Sequence, residues 1–238
     1  NESSQTLTGG RLNSQDKIQL SGDSIHLQGT HVSAPSVALD AQNGGVYQES
    51  AQSTQNRTNW NVALNAGGNL SNSTPTATNE KDVAKSDHGF NAGARVGVDY
   101  LQGTTQQNSQ IKADSLVLNS AGDAQLAGAR IDATTVSGKV SGDLTVESRQ
   151  DSQTSAKVDV DLGLTGKKAA PADKDKVADN SKPGGTDYKP TLKLDAGYAH
   201  KDSVDQASGI SGTQGVNLKV DGATQLTGAR VASSEGRV

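Results

Sequence analysis

Leu126-Ala-Gly-Ala-Arg-Ile131 sets a frame that returns along the chain. The pattern Leu-x-Gly-x-(Arg/His)-(Leu/Val/Ile) also reads Leu7-Thr-Gly-Gly-Arg-Leu12, Leu27-Gln-Gly-Thr-His-Val32 and Leu226-Thr-Gly-Ala-Arg-Val231. The leucines stand 20, 99 and 100 residues apart. That spacing reads as a step of about 20 residues inside a larger unit of about five steps. A short fixed period implies stacked coils, each resting on the one before. It also moves the expected function away from pocket chemistry and towards reach, adhesion and delivery.

The rest of the chain fits this frame. Around each motif the apolar residues sit two apart: Ile18/Leu20, Ile25/Leu27, Val37/Leu39 and Leu116/Leu118. That is the spacing of strands with one buried face. The runs are too short for amphipathic helices, and no 3.6-residue period appears. Turn residues separate them, as in Ser21-Gly22-Asp23, Gly122-Asp123, Ser141-Gly142-Asp143 and Asp221-Gly222. Gly22, Gly122 and Gly142 are the expected corners, where glycine can take a positive φ at low cost. The expected fold is all-β: a right-handed parallel β-helix with coils of ~20 residues stacked ~4.8 Å apart. Leu27, Val32, Leu126, Ile131, Leu144, Val146, Leu226 and Val231 are its expected inward columns. Arg11, His31, Arg130 and Arg230 precede inward positions and are expected to point outward as a solvated rim.

Composition agrees. In 238 residues, 32% are apolar and 3% aromatic, with 27 glycines and 5 prolines. A compact globule needs more large side chains than that, whereas a solenoid has only a thin axial core. Regular placement of Leu, Ile and Val opposes disorder over most of the length. With no cysteine, a disulfide framework or thiolate metal site is excluded. A net charge of −4 without a basic stripe gives nothing to draw nucleic acid. No apolar run reaches membrane-spanning length and no signal peptide is evident, so an export signal is expected in a longer parent.

Two insertions interrupt the coils at equivalent places, one expected over 56–106 and one over 154–208 of a single repeat segment spanning 1–238. In the first, Trp60, Val62 and Leu64 alternate with polar residues, and Val96, Val98 and Tyr100 return. In the second, Val158, Val160, Leu162 and Leu164 alternate with Lys157, Asp159 and Asp161, and Leu192, Leu194 and Tyr198 return. Each reads as an antiparallel hairpin projecting from the shaft, the second with a flexible loop over 167–190. The apolar face is expected to pack on the shaft or on its own partner, or to meet a membrane or another protein. Trp60, Val62, Leu64, Tyr100, Val160, Leu162, Leu194 and Tyr198 are the candidates for such contact. Aromatics at the hairpin ends fit interfacial anchoring.

The stretch from Ala127-Gly128-Ala129-Arg130-Ile131 through Gly142-Asp143-Leu144-Thr145-Val146-Glu147-Ser148-Arg149-Gln150-Asp151 resembles the type 2 haemagglutinin repeat of two-partner secretion exoproteins. Filamentous haemagglutinin adhesins and the toxin-bearing stick proteins of contact-dependent growth inhibition carry this repeat. It is matched in full at 126–165 and in part at 27–66 and 226–238. In the first unit Asp40-Ala-Gln-Asn-Gly-Gly-Val-Tyr47 departs from the pattern. The resemblance implies a secreted or cell-surface Gram-negative protein whose partners are the rest of the exoprotein and a cognate outer-membrane transporter. It further implies a target-cell outer membrane or surface receptor, and self-association is compatible with it. In the growth-inhibition proteins the repeat region waits in the periplasm, then helps pass a C-terminal toxin across the target outer membrane.

Catalytic chemistry is not indicated. His26, His31, His88 and His200 are scattered, and no metal or cofactor site is expected. Asp159 and Asp161 share one strand face and read as solvated rather than as a glycosidase pair. A polysaccharide-degrading β-helix enzyme needs sugar-stacking aromatics in the coils, and these are absent. The expectation is therefore a non-catalytic delivery segment, with an adhesin or filament shaft as the alternative.

Overall fold

The computed structural model describes residues 1–72, 86–168, 186–235 and 238. Of the flexible loop expected over 167–190, residues 169–185 lie outside the described residues, and its ends at 167–168 and 186–190 are strand. The chain is all-β, with no helix among those residues. The strands are β1 (Glu2–Gln5), β2 (Arg11–Asn13), β3 (Lys17–Gly22), β4 (Ile25–Gln28), β5 (His31–Ser33), β6 (Ser36–Ala41), β7 (Val46–Glu49), β8 (Ala51–Asn72) and β9 (Ser86–Gln107). There follow β10 (Ser109–Ser120), β11 (Ala124–Ala127), β12 (Ala129–Val140), β13 (Leu144–Glu147), β14 (Asp151–Lys168), β15 (Thr186–Ser203), β16 (Gly209–Val220), β17 (Thr224–Thr227) and β18 (Arg230–Ser233). They form two compact units. One comprises residue 1, 57–100 and 155–199, and the other 2–56, 101–154 and 200–238.

The second unit is built of parallel ladders consistent with a β-helix. One runs β2-β5-β10-β12-β16-β18, and β3 and β6 join β10 beside it. Another runs β4-β7-β11-β13-β17. Like residues stack: Val32 on Ile111, Ile131, Ile210 and Val231, and Val37 on Leu116, Val136 and Val216. A further column holds Leu27, Gln48, Leu126, Val146 and Leu226. Ile111, Leu116, Leu118, Leu126 and Ile131 are fully buried. Each such side chain contributes ~1.5–3 kcal/mol by leaving water. Leu27, Val32, Leu144 and Val146 are buried as well, while Val231 is half-buried and Leu226, in the outermost strand of its ladder, is exposed.

The registers revise the larger period. Stacked residues are 19–21 positions apart within a repeat, as Ile18/Val37, Ile25/Val46 and Leu116/Val136, but 78–80 across an insertion, as Val46/Ala124 and Val136/Val216. A unit of about 100 residues therefore holds two coils and one excursion, not five coils. The excursion has nearly the length of three coils, so motif spacing alone could not separate the two readings.

Two kinds of glycine make the corners. The motif glycines Gly29, Gly128 and Gly228 take φ of 57°, 64° and 59°, the left-handed region that disfavours side chains. Gly122 and Gly142 have no positive φ. A Cβ there would instead strike the corner of the neighbouring coil, at Gly44 and Asp123 respectively. Aspartates tie successive corners: Asp123 Oδ1 accepts from the Asp143 amide at 2.9 Å and Asp143 Oδ1 from the Ala223 amide at 2.7 Å. Gly22 would meet a Cβ contact only at ordinary distance, so it is the least constrained of the three expected corners.

Serines close the breaks where the chain leaves and returns. Ser109 Oγ accepts from the Thr30 amide at 3.0 Å and donates to the Glu49 carbonyl at 2.6 Å. Ninety-nine residues later Ser208 Oγ accepts from the Ala129 amide at 3.0 Å, and its own amide donates to Ser148 Oγ at 2.8 Å. Both Ser109 and Ser208 are fully buried. They satisfy backbone groups that the coil would otherwise leave unpaired at the excursion.

Candidate functional site

The long strands β8, β9, β14 and β15, most of whose length lies in the first unit, are neighbours in that order in one sheet, with β1 beside β8. Both insertions therefore enter one sheet, with β9 of the first lying beside β14 of the second. The pairings run antiparallel. Gly67 meets Asn91, Gly93 meets Asn65 and Gly97 meets Asn61. Next, Gly97 abuts Asp159 and Gly166 abuts Phe90, then Gly163 abuts Thr191 and Thr165 Oγ1 donates to the Lys189 carbonyl at 3.4 Å. Every one of these contacts joins residues of like parity. Strand residues alternate faces, so all even positions of the four long strands share one side and all odd positions the other.

The even side is apolar and, among the described residues, uncovered. Among the described residues, every exposed large apolar side chain from Trp60 to Tyr198 bears an even number: Trp60, Val62 and Leu64 on β8, Phe90, Val96 and Tyr100 on β9, Val158, Leu162 and Leu164 on β14, Tyr188, Leu192, Leu194 and Tyr198 on β15. Trp60 is 71% exposed, Leu64 81%, Leu194 70% and Tyr198 73%. Val160 is the more sheltered member at mid-sheet. Across the middle, Ala92 and Ala94 leave a shallow trough of about 590 Å³ between Leu162, Leu164 and Leu192. A soluble monomer rarely leaves so continuous an apolar surface open.

Aromatics frame this face. Phe90 and Tyr188 meet edge-on at one end, ring centroids 5.9 Å apart and planes at 62°. Tyr100 and Tyr198 stand ten residues further along the same two strands, and Trp60 is the aromatic of β8. Ten strand residues span ~34 Å, close to the ~30 Å hydrocarbon core of a bilayer. Apolar bands of about ten alternating residues with an aromatic girdle at each end are how β-strands meet lipid.

The odd side is polar. Arg95 Nη2 and Lys157 Nζ both reach Asp159 Oδ2, at 2.9 and 2.8 Å. Asp159 is buried by these partners. Glycines on this side make room for cross-strand polar groups: a Cβ on Gly93 would strike Asn65, on Gly97 Asp159, and on Gly163 the Thr191 hydroxyl. Asp159 and Asp161 are thus part of an ion-paired polar face, and Asp159 is engaged by two cations rather than by a second carboxylate.

The ladder unit offers binding chemistry of a weaker kind. The outward column reads Arg11, His31, Gln110, Arg130, Gly209 and Arg230, with Arg130 Nε held by Asp132 at 2.8 Å. His26 stacks on Tyr47 with centroids 4.5 Å apart, so the ladders do carry an aromatic, in β7, where none was expected. His200 lies between Thr154 at 2.8 Å and Asp202 at 3.1 Å. Among the described residues no three His, Cys, Asp or Glu side chains group as metal ligands. A groove of about 490 Å³ is lined by Ser4, Thr6, Gln55, Thr105, Asp151 and Lys201 among others. It holds one carboxylate and no aromatic ring, which is not the equipment of a glycan-cleaving cleft. No helix among the described residues is long and apolar enough to cross a membrane.

A family profile described as the hemagglutinin repeat matches residues 1–161. The chain belongs to the hemagglutinin-repeat family. A curated relative named "Hemolysin" from Serratia marcescens is 43% identical over 173 residues, covering 69% of this chain and 11% of the relative. A second, also named "Hemolysin", from Proteus mirabilis, is 25% identical over 300 residues, covering all of this chain and 19% of the relative. This hemagglutinin-repeat chain therefore spans a fifth or less of the length of those relatives. No solved structure matches it.

Sequence reasoning had found the alternating segments. It had not found that both enter one sheet, nor the roles of Phe90 and Tyr188. The available signal was numerical: in the alternating segments 60–64, 96–100, 158–164 and 192–198 every large apolar residue is even-numbered, as if they belonged to one surface.

Proposed function

We propose that this hemagglutinin-repeat segment is a non-catalytic part of a large secreted exoprotein and engages a target-cell membrane through the even-numbered face of its amphipathic sheet. The parallel ladders act as the scaffold, read here as a right-handed β-helix of ~20-residue coils from which the hairpins arise. The observation that carries the reading is the continuous apolar face from Trp60 to Tyr198, framed by aromatics and backed by a polar side. The relatives' name, hemolysin, describes proteins that breach a membrane, and a lipid-seeking segment suits that activity. Resemblance to growth-inhibition stick proteins adds the purpose: delivery of an effector carried by the same exoprotein across the target's outer membrane. Secretion through a cognate outer-membrane transporter and residence at the cell surface follow from the same resemblance.

An adhesive shaft is the second reading. It is favoured by the outward polar column Arg11, His31, Gln110 and Arg130, which can present one chemistry repeatedly along the ladders. Target competition with the parent exoprotein separates the two. A parent carrying Leu64→Asp and Leu194→Asp should still bind target cells but lose lysis or inhibition. Lost cell binding would favour the shaft, and undiminished inhibition would reject the membrane role.

A further inference from the structure

The sheet has two outer edges, and each has an open stretch beside the apolar face. β15 is the last strand in its order and is exposed along nearly its whole length. At the other edge β1 covers only the start of β8: Asn1 and Thr58 exchange hydrogen bonds and Gln55 Nε2 reaches Glu2. Residues 59–67 of β8 lie beyond these bonds, and residues 191–199 of β15 lie beyond Pro190, whose missing amide could not serve a ladder. Each stretch is nine residues long, the length of a membrane-spanning strand. An open edge is tolerable in water but not in lipid, where every backbone N–H and C=O needs a partner.

The chain already contains the solution once. Its two hairpins come from successive repeats and join edge to edge through β9 and β14, antiparallel, with even residues on one side. Continuing that alternation, β15 of one sheet runs antiparallel to β8 of the next. Setting residues 191–199 against 67–59 keeps both apolar faces together, with Tyr198 level with Trp60.

We propose that two copies of this chain join through β15 of one and β8 of the other, extending the amphipathic sheet by four strands per copy. This rests on the membrane reading. Such a contact is head-to-tail, so repetition closes a ring or continues. Two copies supply eight strands, the size of the smallest membrane barrels, and four supply sixteen, a size that leaves an aqueous lumen. In a closed ring the even face meets lipid and the odd face, with Arg95, Lys157 and Asp159, lines the interior.

The absence of cysteine makes the test clean. Asn65→Cys and Lys193→Cys are made in separate full chains; both sites are exposed, on the odd side, and opposite each other in the proposed register. The two proteins are mixed with phosphatidylethanolamine/phosphatidylglycerol vesicles, oxidised, and examined by denaturing electrophoresis and by flotation. The mixture should form a covalent dimer several-fold more abundant than either protein alone gives. Ala63→Cys with Asp195→Cys, the neighbouring facing pair, should do the same, while Asn65→Cys with Asp195→Cys should cross-link less. Flotation without cross-linking would overturn the edge contact and leave the membrane reading standing. Cross-linking without flotation would uphold the edge contact and reject the lipid role. Dimers from Lys193→Cys alone at equal yield would replace the proposed contact by a two-fold β15–β15 one and overturn it. Neither flotation nor cross-linking would sink both.

Discussion

Leu126 and Leu194 occupy the same kind of sequence, an apolar residue two positions from another in a short alternating run, yet one is fully buried and the other 70% exposed. In the ladders, each strand's apolar side meets the apolar sides of other ladders in one core, and Leu126 stacks on Val146 in a cluster that also holds Leu118 and Ile131. In the sheet unit, the apolar sides of four long strands gather on one face and no described residue covers them. Period-two alternation therefore specifies a strand with two unlike faces. What the apolar face finds is decided by pairings far away in sequence.

Matched substitutions test that contrast. Leu126→Asp places an unpaired carboxylate in a dry column and should cost about 4 kcal/mol or more, enough to unfold adjacent coils. Leu194→Asp should change stability by no more than about 0.5 kcal/mol, because Leu194 already faces solvent. Thermal unfolding of both variants reads the difference, and equal losses would show that Leu194 is packed after all.

Gln48 sharpens the comparison from inside the core. It is 1% exposed, stacks between Leu27 and Leu126, and neither side-chain nitrogen nor oxygen has a hydrogen-bond partner among the described residues. Gln48→Leu removes the desolvation penalty and should stabilise by roughly 1–3 kcal/mol. A loss of stability in denaturant titration would reveal a hydrogen-bonding partner, such as a buried water, that the substitution removes.

Glycines differ between the units in the same direction. Gly128, at φ 64°, would press a Cβ onto Ser50 and Arg149, whereas a Cβ on Gly197 would meet nothing within 4 Å. Gly128→Ala should cost roughly 1–2 kcal/mol, and Gly197→Ala should be neutral or gain up to about 1 kcal/mol. Chemical denaturation midpoints check both.

The smallest effect is electrostatic. Lys139 and Lys219 reach Asp221 at 2.8 and 3.3 Å, and their hydrogen bonds hold its carboxyl below the ordinary carboxylate pKa. A depressed folded-state value gives stability that is present above the unfolded value and lost as pH falls through the folded one. The pair is surface-exposed and weak. The melting temperature of Asp221→Asn should lie slightly below that of the parent at neutral pH and meet it in strong acid. A constant gap across that range would show that the charge is not the cause.

Much of the ladder unit was legible because it is local. The inward columns follow two residues apart, but the left-handed corners lie at the motif glycines Gly29, Gly128 and Gly228 rather than at Gly22, Gly122 and Gly142, where they were expected. The count of coils was not legible, since an excursion nearly three coils long imitates three coils. The serine closures at Ser109 and Ser208 were hidden because a lone serine has no local signature; only their 99-residue separation marks them. The single sheet was hidden for a related reason. The strands that join the two insertions, β9 and β14, are separated by two coils of the ladders, and no local residue encodes that pairing.

The central claim is that the even-numbered face meets lipid, and Trp60 reports on it directly. It is the chain's single tryptophan, 71% exposed on that face. Its emission should be that of a water-exposed indole in buffer. It should shift to the blue on addition of phosphatidylethanolamine/phosphatidylglycerol vesicles, and Leu64→Asp with Leu194→Asp should abolish the shift. An emission unchanged by vesicles, with the protein remaining in the aqueous fraction, would contradict the account.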